Sequence, residues 1–449
     1  MASPIELKIV RYGSSDVSGL IDEEITLVHN YNPKPGNGVD DISESIPLFL
    51  EGTQATVRAS ITTINNMLAR ANERNENGFG DNIYMMTRTG GTAESWRRTR
   101  IMEGRLSATD GGIIAGLTSN NRTPVTLSIT RAGYFEDDPQ TYVPFYNSNG
   151  TLSGVNTINV FNCNSGAGAA PNKLENYALV HADGISGDLP APINLRMTNA
   201  TAGTAIDKYF VSLNTAGYGT ANPSYFYYDI SGTADATCSG GSAGTATLST
   251  ATETDMFTVN ITGPTPFEQL GSKPYHVIAR FGNNTSLANV KFRLKFKSGT
   301  TTIWSGPQFL LPNTDIIQDL GVVNLPPGVA SQWSDGNLVI TGQRTTGSSE
   351  TIRLDYIQLF GGTYSELNGI VPVVYGEYVV FWGINKSISR HSTLSYMDWV
   401  IYGSGALVLT PKKTNMLLIV AQTSTPETAK IDSKTTISAT YRPRWSSPL

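Results

Sequence analysis

Apolar and polar positions alternate with a period of two along most of this chain, the signature of strands with one buried face. Ile5, Leu7 and Ile9 alternate with Glu6, Lys8 and Val10, and Ile25 and Leu27 continue the pattern. After a polar loop with Pro33 and Pro35, Ile46, Leu48 and Leu50 predict another strand. The one long exception is Thr53 to Arg74. There Val57, Ile61, Ile64, Leu68 and Ala71 recur at steps of four, three, four and three, which aligns them on one face of a helix. Thr53 is placed to cap its start, Arg70 and Arg74 suit the negative end of its dipole, and Gly78 stops it. A lone helix of this kind needs a sheet on which to lay its apolar stripe. A hairpin follows, from Ile83 through a Gly90-Gly91 turn to Leu106, and then a strand at Val125, Leu127 and Ile129.

From about Val143 the texture changes to short strands separated by loops rich in Gly, Ser, Asn and Ala. The cleanest alternation in the chain is here, with Val290, Phe292, Leu294 and Phe296 facing in and Lys291, Arg293, Lys295 and Lys297 facing out. The number of strands up to Ile352–Leu359 predicts a two-sheet jelly roll. Beyond it, 370–449 is again β, and it either completes the N-terminal sheet or makes a small sandwich of its own. The expected division is 1–148, 149–365 and 366–449. The expected fold is mainly β: an α+β N-terminal domain, built as a sandwich or split barrel with one packed helix, plus a jelly-roll β-sandwich.

Composition agrees with this class: of 449 residues 44 are glycine, and only 15% are charged. A net charge of −5 leaves no general footprint for nucleic acid or an anionic membrane. Cys163 and Cys238 are the only cysteines and read as two lone buried thiols. The N-terminus lacks the basic and apolar regions of a signal peptide, and the apolar run Met416–Ala421 is far too short to span a bilayer, so synthesis in the cytoplasm and no membrane insertion are expected.

Candidate chemistry is sparse. The four histidines are dispersed without metal-ligand spacing, and neither a P-loop nor a dinucleotide fingerprint is present. The formal GxSxG match at Gly240–Gly244 lies in a low-complexity loop with no following helix period. The acidic pairs Asp40-Asp41 and Asp137-Asp138, and the run Asp22-Glu23-Glu24, are best read as solvated. No catalytic residue, cofactor or metal site is therefore assigned, and no enzyme is expected. Two features are candidates for binding. Arg97, Arg98, Arg100 and Arg105 make the second strand of the hairpin basic and suit a subunit interface or channel wall. Trp304, Trp333 and Tyr227 are candidate glycan-contact aromatics, since a flat apolar ring face can stack on a sugar; burial in the core is the plainer reading of each.

The order Ile46–Phe49, helix, hairpin from Ile83 through Arg105, and Val125–Ile129 ending in Arg131-Ala132-Gly133-Tyr134-Phe135 resembles the belt domain of phage distal tail proteins, a fold shared with tail-tube and baseplate-hub proteins. Leu407–Met416 and the terminal Thr440–Trp445 are similar to the ending of that family, with Lys412 and Lys413 where it carries a glycine turn. The middle of the chain, from Gly187-Asp188-Leu189-Pro190 to Leu354-Asp355-Tyr356-Ile357, resembles a jelly-roll carbohydrate-binding-type module. The resemblance implies a structural virion protein of a phage-like tail, made in the host cytoplasm. It would self-assemble into a ring around the tail channel, as a hexamer or a trimer, with other tail proteins as partners. DNA would be only passing cargo, and the jelly roll would project outward towards cell-surface glycans. The alternative is a free carbohydrate-binding or adhesive β-sandwich protein. A glycan-degrading enzyme would require facing carboxylates in a cleft.

Overall fold

The computed structural model describes residues 6–12, 22–25, 33–77, 81–88, 95–108, 122–146, 154–162, 176–215, 227–235, 237–261, 274–282, 287–311, 316–325, 335–347, 349–361, 363–383, 387–390, 394–395, 406–423 and 434–447. The Gly90-Gly91 turn, Cys163 and Trp333 lie outside them. The fold is mainly β, built among the described residues from antiparallel sheets and one α-helix. The chain divides into two compact units, one of Met1–Thr141, Ser186–Ala191 and Arg442–Leu449, the other of Tyr142–Ile185 and Pro192–Tyr441. Among the described residues no helix is long and apolar enough to cross a membrane.

The first unit contains β1 (Glu6–Tyr12), β2 (Asp22–Ile25), β3 (Ile42–Glu51), α1 (Gln54–Asn77), β4 (Asn82–Arg88), β5 (Arg97–Ala108), β6 (Arg122–Arg131) and β7 (Phe135–Asp137). Its strands run β2-β1-β4-β5-β6-β3, and the terminal strand Arg444–Trp445 joins β7 beside the start of β5. β5 is shared by two half-sheets. Its beginning pairs with β4 as far as Tyr84↔Arg100, and from Ile101 onward it pairs with β6, with a register shift between Ile101 and Glu103. The sheet therefore splits along β5, and α1 fills the split.

The helix begins where the sequence predicts a cap: the Thr56 N–H donates to Thr53 Oγ1 at 3.3 Å. Val57, Ile64, Leu68 and Ala71 are buried with Met67, while Ile61 is half-buried against the same core. The core is completed by Leu7, Ile9, Ile46, Leu48, Leu127 and Phe135, among others. On the adjoining face the helix takes the place of a strand. Asn65 Oδ1 accepts the Leu106 N–H at 2.8 Å, Asn65 Nδ2 donates to the Leu106 carbonyl at 2.9 Å, and Asn72 Oδ1 accepts the Gly104 N–H at 2.9 Å. These amides satisfy β5 backbone groups beyond the reach of β4. Gly104 makes the approach possible, because a Cβ there would stand 2.9 Å from Leu68 Cδ2 and 3.0 Å from Ile129 Cγ2.

The second unit is two sandwiches, one nested in the other. The outer one has a four-stranded sheet in the order Tyr177–Val180, Asn415–Thr423, Ile206–Thr215 and Thr363–Val373. A larger sheet is centred on Ala191–Asn199, between Tyr378–Trp382 and Lys434–Tyr441. The inner sandwich enters after Ile206–Thr215 and leaves before Thr363–Val373. One of its sheets orders Ser242–Leu248, Glu350–Phe360, Pro274–Phe281 and Ile317–Asn324; the other orders Thr254–Asn260, Gly336–Arg344, Val290–Ser298 and Thr301–Ser305. Numbered along the chain, these are strands 1-8-3-6 against 2-7-4-5, the order of a jelly roll made of two Greek keys.

The jelly-roll strands thus span 242–360, inside the expected 149–365. The strands between 158 and 215 pair instead with strands between 363 and 441. Of the expected 366–449 segment, only Arg442–Leu449 belongs to the first unit. The physical reason lies in Asn415–Thr423, which is buried at every position. Met416, Leu418 and Val420 join the jelly-roll core, while Leu417, Ile419 and Ala421 on the opposite face are buried as well. A continuously apolar strand of this kind needs cover on both faces, which a small sandwich of its own would not supply.

Candidate functional site

The four arginines of β5 separate into two environments. Arg98 is buried, with Glu136 and Asp138 each 3.6 Å away and the Tyr84 ring 4.5 Å beneath its guanidinium. Arg97 lies 3.3 Å from Asp137, donates to the Ser447 carbonyl and stacks over Trp445 at 4.1 Å. Both hold the terminal strand and β7 onto β5, so the acidic pair Asp137-Asp138 is bound by these arginines. Arg100 is half-buried. Arg105 is exposed and lines an open concavity of about 640 Å³ with Lys34, Ser45, Asn72, Ser128 and Thr130. Beneath that surface Arg131 and Glu44 form an ion pair at 2.6 Å, and Arg131 is 0% exposed. Arg131 also donates to the carbonyls of Lys34 and Ala132, which meets the need of a buried charge for a partner and further hydrogen bonds.

β3 lies at one edge of the first unit's sheet, at the opposite end from β2. Among the described residues β3 pairs only with β6, from Ile42↔Arg131 to Glu51↔Arg122. Lys34 Nζ donates to the Ser43 carbonyl at 2.8 Å and covers one end. Pro47 sits opposite Thr126 in an unbroken register, and proline is tolerated there when its missing donor faces away from the ladder. Phe49, two residues further on, is 44% exposed.

In the second unit, Trp304 borders a cavity of about 500 Å³ between the strand Thr301–Ser305 and the strand Ile317–Asn324. The half-buried Trp304 ring lies over Gly306, where a Cβ would come within 2.9 Å of it. Phe309, stacked on Phe292 at 6.3 Å, forms the next part of the wall, and Leu310 at the mouth is 55% exposed. The polar wall comes from strands far apart in sequence. Lys208 and Glu366 stand diagonally on neighbouring strands, 3.4 Å apart. Asp319 Oδ2 lies 2.8 Å from His276 Nδ1 and accepts the Tyr364 hydroxyl at 3.0 Å, while Tyr364 stacks on His276 with centroids 3.8 Å apart. A bulge opposite His276–Ile278 aims Asp319 at this histidine, and Gly321 inside it has φ +94°, the left-handed region that favours glycine. Burial raises the Glu366 carboxyl above the usual glutamate range despite Lys208, and raises the Tyr364 phenol further still.

Tyr227 does not border this cavity. Its hydroxyl donates to Ser239 Oγ at 2.9 Å and its ring packs on Tyr356, with centroids 4.9 Å apart. Trp333 lies outside the described residues. Cys238 is a free thiol, buried, and burial pushes its pKa up to about 11. Ser242 of the GxSxG match opens a strand, with a single 3-10 turn before it. The cluster of Lys208, His276, Asp319, Tyr364 and Glu366 was not singled out in the sequence. Only the lone His276 could have pointed to it, and it resembled any other isolated histidine.

No protein-family profile matches the chain, and no curated protein matches it in sequence. Among solved structures it is similar to the Dit (gp 19.1) protein of phage SPP1, described as a paradigm of the hub adsorption apparatus in phages that infect Gram-positive hosts. That alignment has a TM-score of 0.31 and 8% identity, over 99% of this chain and 89% of the other. The mycobacterial arabinofuranosyltransferase AftD aligns with a TM-score of 0.14 and 7% identity, over 98% of this chain and 31% of the other. Superpositions of this extent carry no argument about fold or function.

Proposed function

We propose that the chain is a structural component of a phage-like tail, and that its first unit self-assembles into a ring around the tail channel. The observation that carries this reading is the open outer side of β3, where a ten-residue strand pairs on one side only among the described residues and exposes Phe49. An unpaired edge is a liability unless a neighbour covers it, and a closed ring covers every such edge by symmetry. Pro47 removes one donor from that edge, which discourages indiscriminate pairing and leaves the backbone around Ser45 and Phe49 for a specific neighbour. The resemblance of the segment from β3 to β7 to belt domains supports the same role. The role is non-catalytic; other tail proteins are the further partners, and DNA passes only as cargo. Arg105 and Arg100 are the arginines left to face a neighbour or the channel, since Arg97 and Arg98 serve the fold of the first unit.

The test is the mass of the purified chain by light scattering, with negative-stain images of the same sample. Rings with a central hole, dispersed by Phe49→Asp at unchanged melting temperature, are expected. A monomer at every concentration would overturn self-assembly and favour a free glycan-binding protein. Rings indifferent to Phe49→Asp would move the interface away from β3.

A further inference from the structure

Two apolar features of the second unit face solvent, one projecting and one recessed. The projecting one is the turn that follows Thr363–Val373, where Val374 is 48% and Tyr375 61% exposed. This turn is firmly braced. The Glu377 N–H donates to the Val374 carbonyl at 3.0 Å, and Gly376 at the third position has φ +82°, the left-handed region open to glycine. Asn199, 0% exposed, holds the turn from below: its side-chain amide donates to the carbonyls of Val373 and Thr204 at 2.9 and 2.8 Å. Its own carbonyl accepts the Gly376 N–H, and its N–H donates to the Glu377 carbonyl, both at 2.9 Å. Side chains carried on so rigid a turn lose little conformational entropy when they dock. The recessed feature is the cavity of about 500 Å³ beside Trp304. Trp304, Phe309 and Leu320 line it with Leu310 and Val322, which are 55% and 36% exposed.

We propose that this cavity receives the Val374–Tyr375 tip of a second copy of the chain. Tyr375 packs against the Trp304 and Phe309 rings, and Val374 covers Leu310 at the mouth. A tyrosine suits a cavity with one apolar and one polar side, because its ring is apolar and its far end is polar. The occupant comes from another copy because the tip does not reach its own cavity. Glu366 borders that cavity, and Val374 lies eight residues further along the same strand, about 25 Å away in extended chain. Two different patches that fit each other make a head-to-tail contact, which closes in a ring and otherwise continues as a row. A tyrosine and a valine seated in a cavity cover on the order of 500 Å² over both copies, below the ~1,200 Å² of a stable interface. The contact is therefore weak by itself and is strengthened between copies already held side by side. The inference goes beyond the ring reading and does not depend on it, because every residue named belongs to the second unit.

The experiment uses the full chain with the photoreactive p-benzoylphenylalanine in place of Tyr375, prepared once at natural isotope abundance and once with a heavy-isotope label. The two are mixed and irradiated at about 0.5 mM, within the Kd range on the order of 0.1–1 mM expected of so small a contact. Adducts to residues 304–322 are expected, with light–heavy pairs showing that they join two copies. Leu310→Arg at the exposed mouth should reduce them at least about tenfold at an unchanged melting temperature. Complementation separates tip from cavity. A chain with the photoreactive tip and Leu310→Arg should again form adducts when mixed with labelled Tyr375→Ser, which lacks the tip and keeps the cavity. The proposal is overturned if no adduct forms, if adducts fall outside 304–322 or within one copy, or if they survive Leu310→Arg. Ring formation is read separately by light scattering and images of the native chain, and neither outcome there alters which residues the tip labels.

Discussion

Replacing Asn65 with alanine tests whether α1 acts as a missing strand. The substitution removes both contacts to Leu106, the 2.8 Å acceptance of its N–H and the 2.9 Å donation to its carbonyl. Two hydrogen bonds at about 1 kcal/mol each give about 2 kcal/mol, and partial desolvation of the Leu106 backbone groups adds about 1 kcal/mol. Alanine is the better helix former, which returns about 0.6 kcal/mol. A net loss of about 2 kcal/mol is expected in the first unit. Asn66 is an internal control, being exposed on the same helix one position further on. Asn66→Ala gains only the helix propensity and should stabilise slightly. Hydrogen exchange at the Leu106 amide gives the local readout, since about 2 kcal/mol corresponds to about a thirtyfold faster opening if exchange follows unfolding of this unit. Equal behaviour of the two variants, or an unchanged Leu106 amide in Asn65→Ala, would refute the surrogate-strand reasoning.

Arg131→Met deprives the buried Glu44 carboxylate of its guanidinium, leaving it the Lys34 N–H, and should cost about 3 kcal/mol by urea denaturation, while adding Glu44→Leu should recover most of it. Lys412 is a non-glycine residue with φ +59°, so Lys412→Gly should relieve left-handed strain and stabilise by about 0.5–1 kcal/mol after the larger unfolded-state entropy of glycine, read as an upward shift in melting temperature. Burial holds the Glu366 carboxyl above its unfolded value, so the folded chain keeps this proton over an interval in which the unfolded chain has lost it. The contribution of Glu366 is therefore full below the ordinary glutamate range and declines as pH rises through the raised folded value; urea midpoints should show that decline in the native chain and lack it in Glu366→Gln.

Local patterning made the helix and individual strands legible, and it left their pairing hidden. The four-three spacing found Val57, Ile64, Leu68 and Ala71, but passed over Met67, which sits beside that stripe and is buried with it. The alternation at Val290–Phe296 matches the buried and outward positions of its strand because one face is wet. The boundary of the jelly roll was not legible, because nothing within Ile206–Thr215 shows that its partners arrive only at 363–373 and 415–423, on the far side of the insert. The glycan candidates were chosen by residue type, so Tyr227 and Trp304 looked equivalent; the structure separates a tyrosine bonded to Ser239 from a tryptophan at a cavity mouth. Likewise, the basic hairpin gave no sign that Arg98 would be consumed by Glu136 and Asp138.

The nesting of the two sandwiches also sets the terms on which the inner one can be exchanged. Leu213 pairs directly with Thr363, so the points where the jelly roll leaves and rejoins the outer sheet are one strand spacing apart. To the outer sandwich the whole insert is topologically a hairpin loop, and a short turn would restore connectivity if the insert were cut out. Packing forbids so simple a graft. Met416, Leu418 and Val420 would be stripped of their cover, exposing an apolar strip in the middle of a sheet. A replacement cassette must therefore bring, along with matched ends, a surface that fits those three side chains, and recombination at this locus would be filtered by that fit.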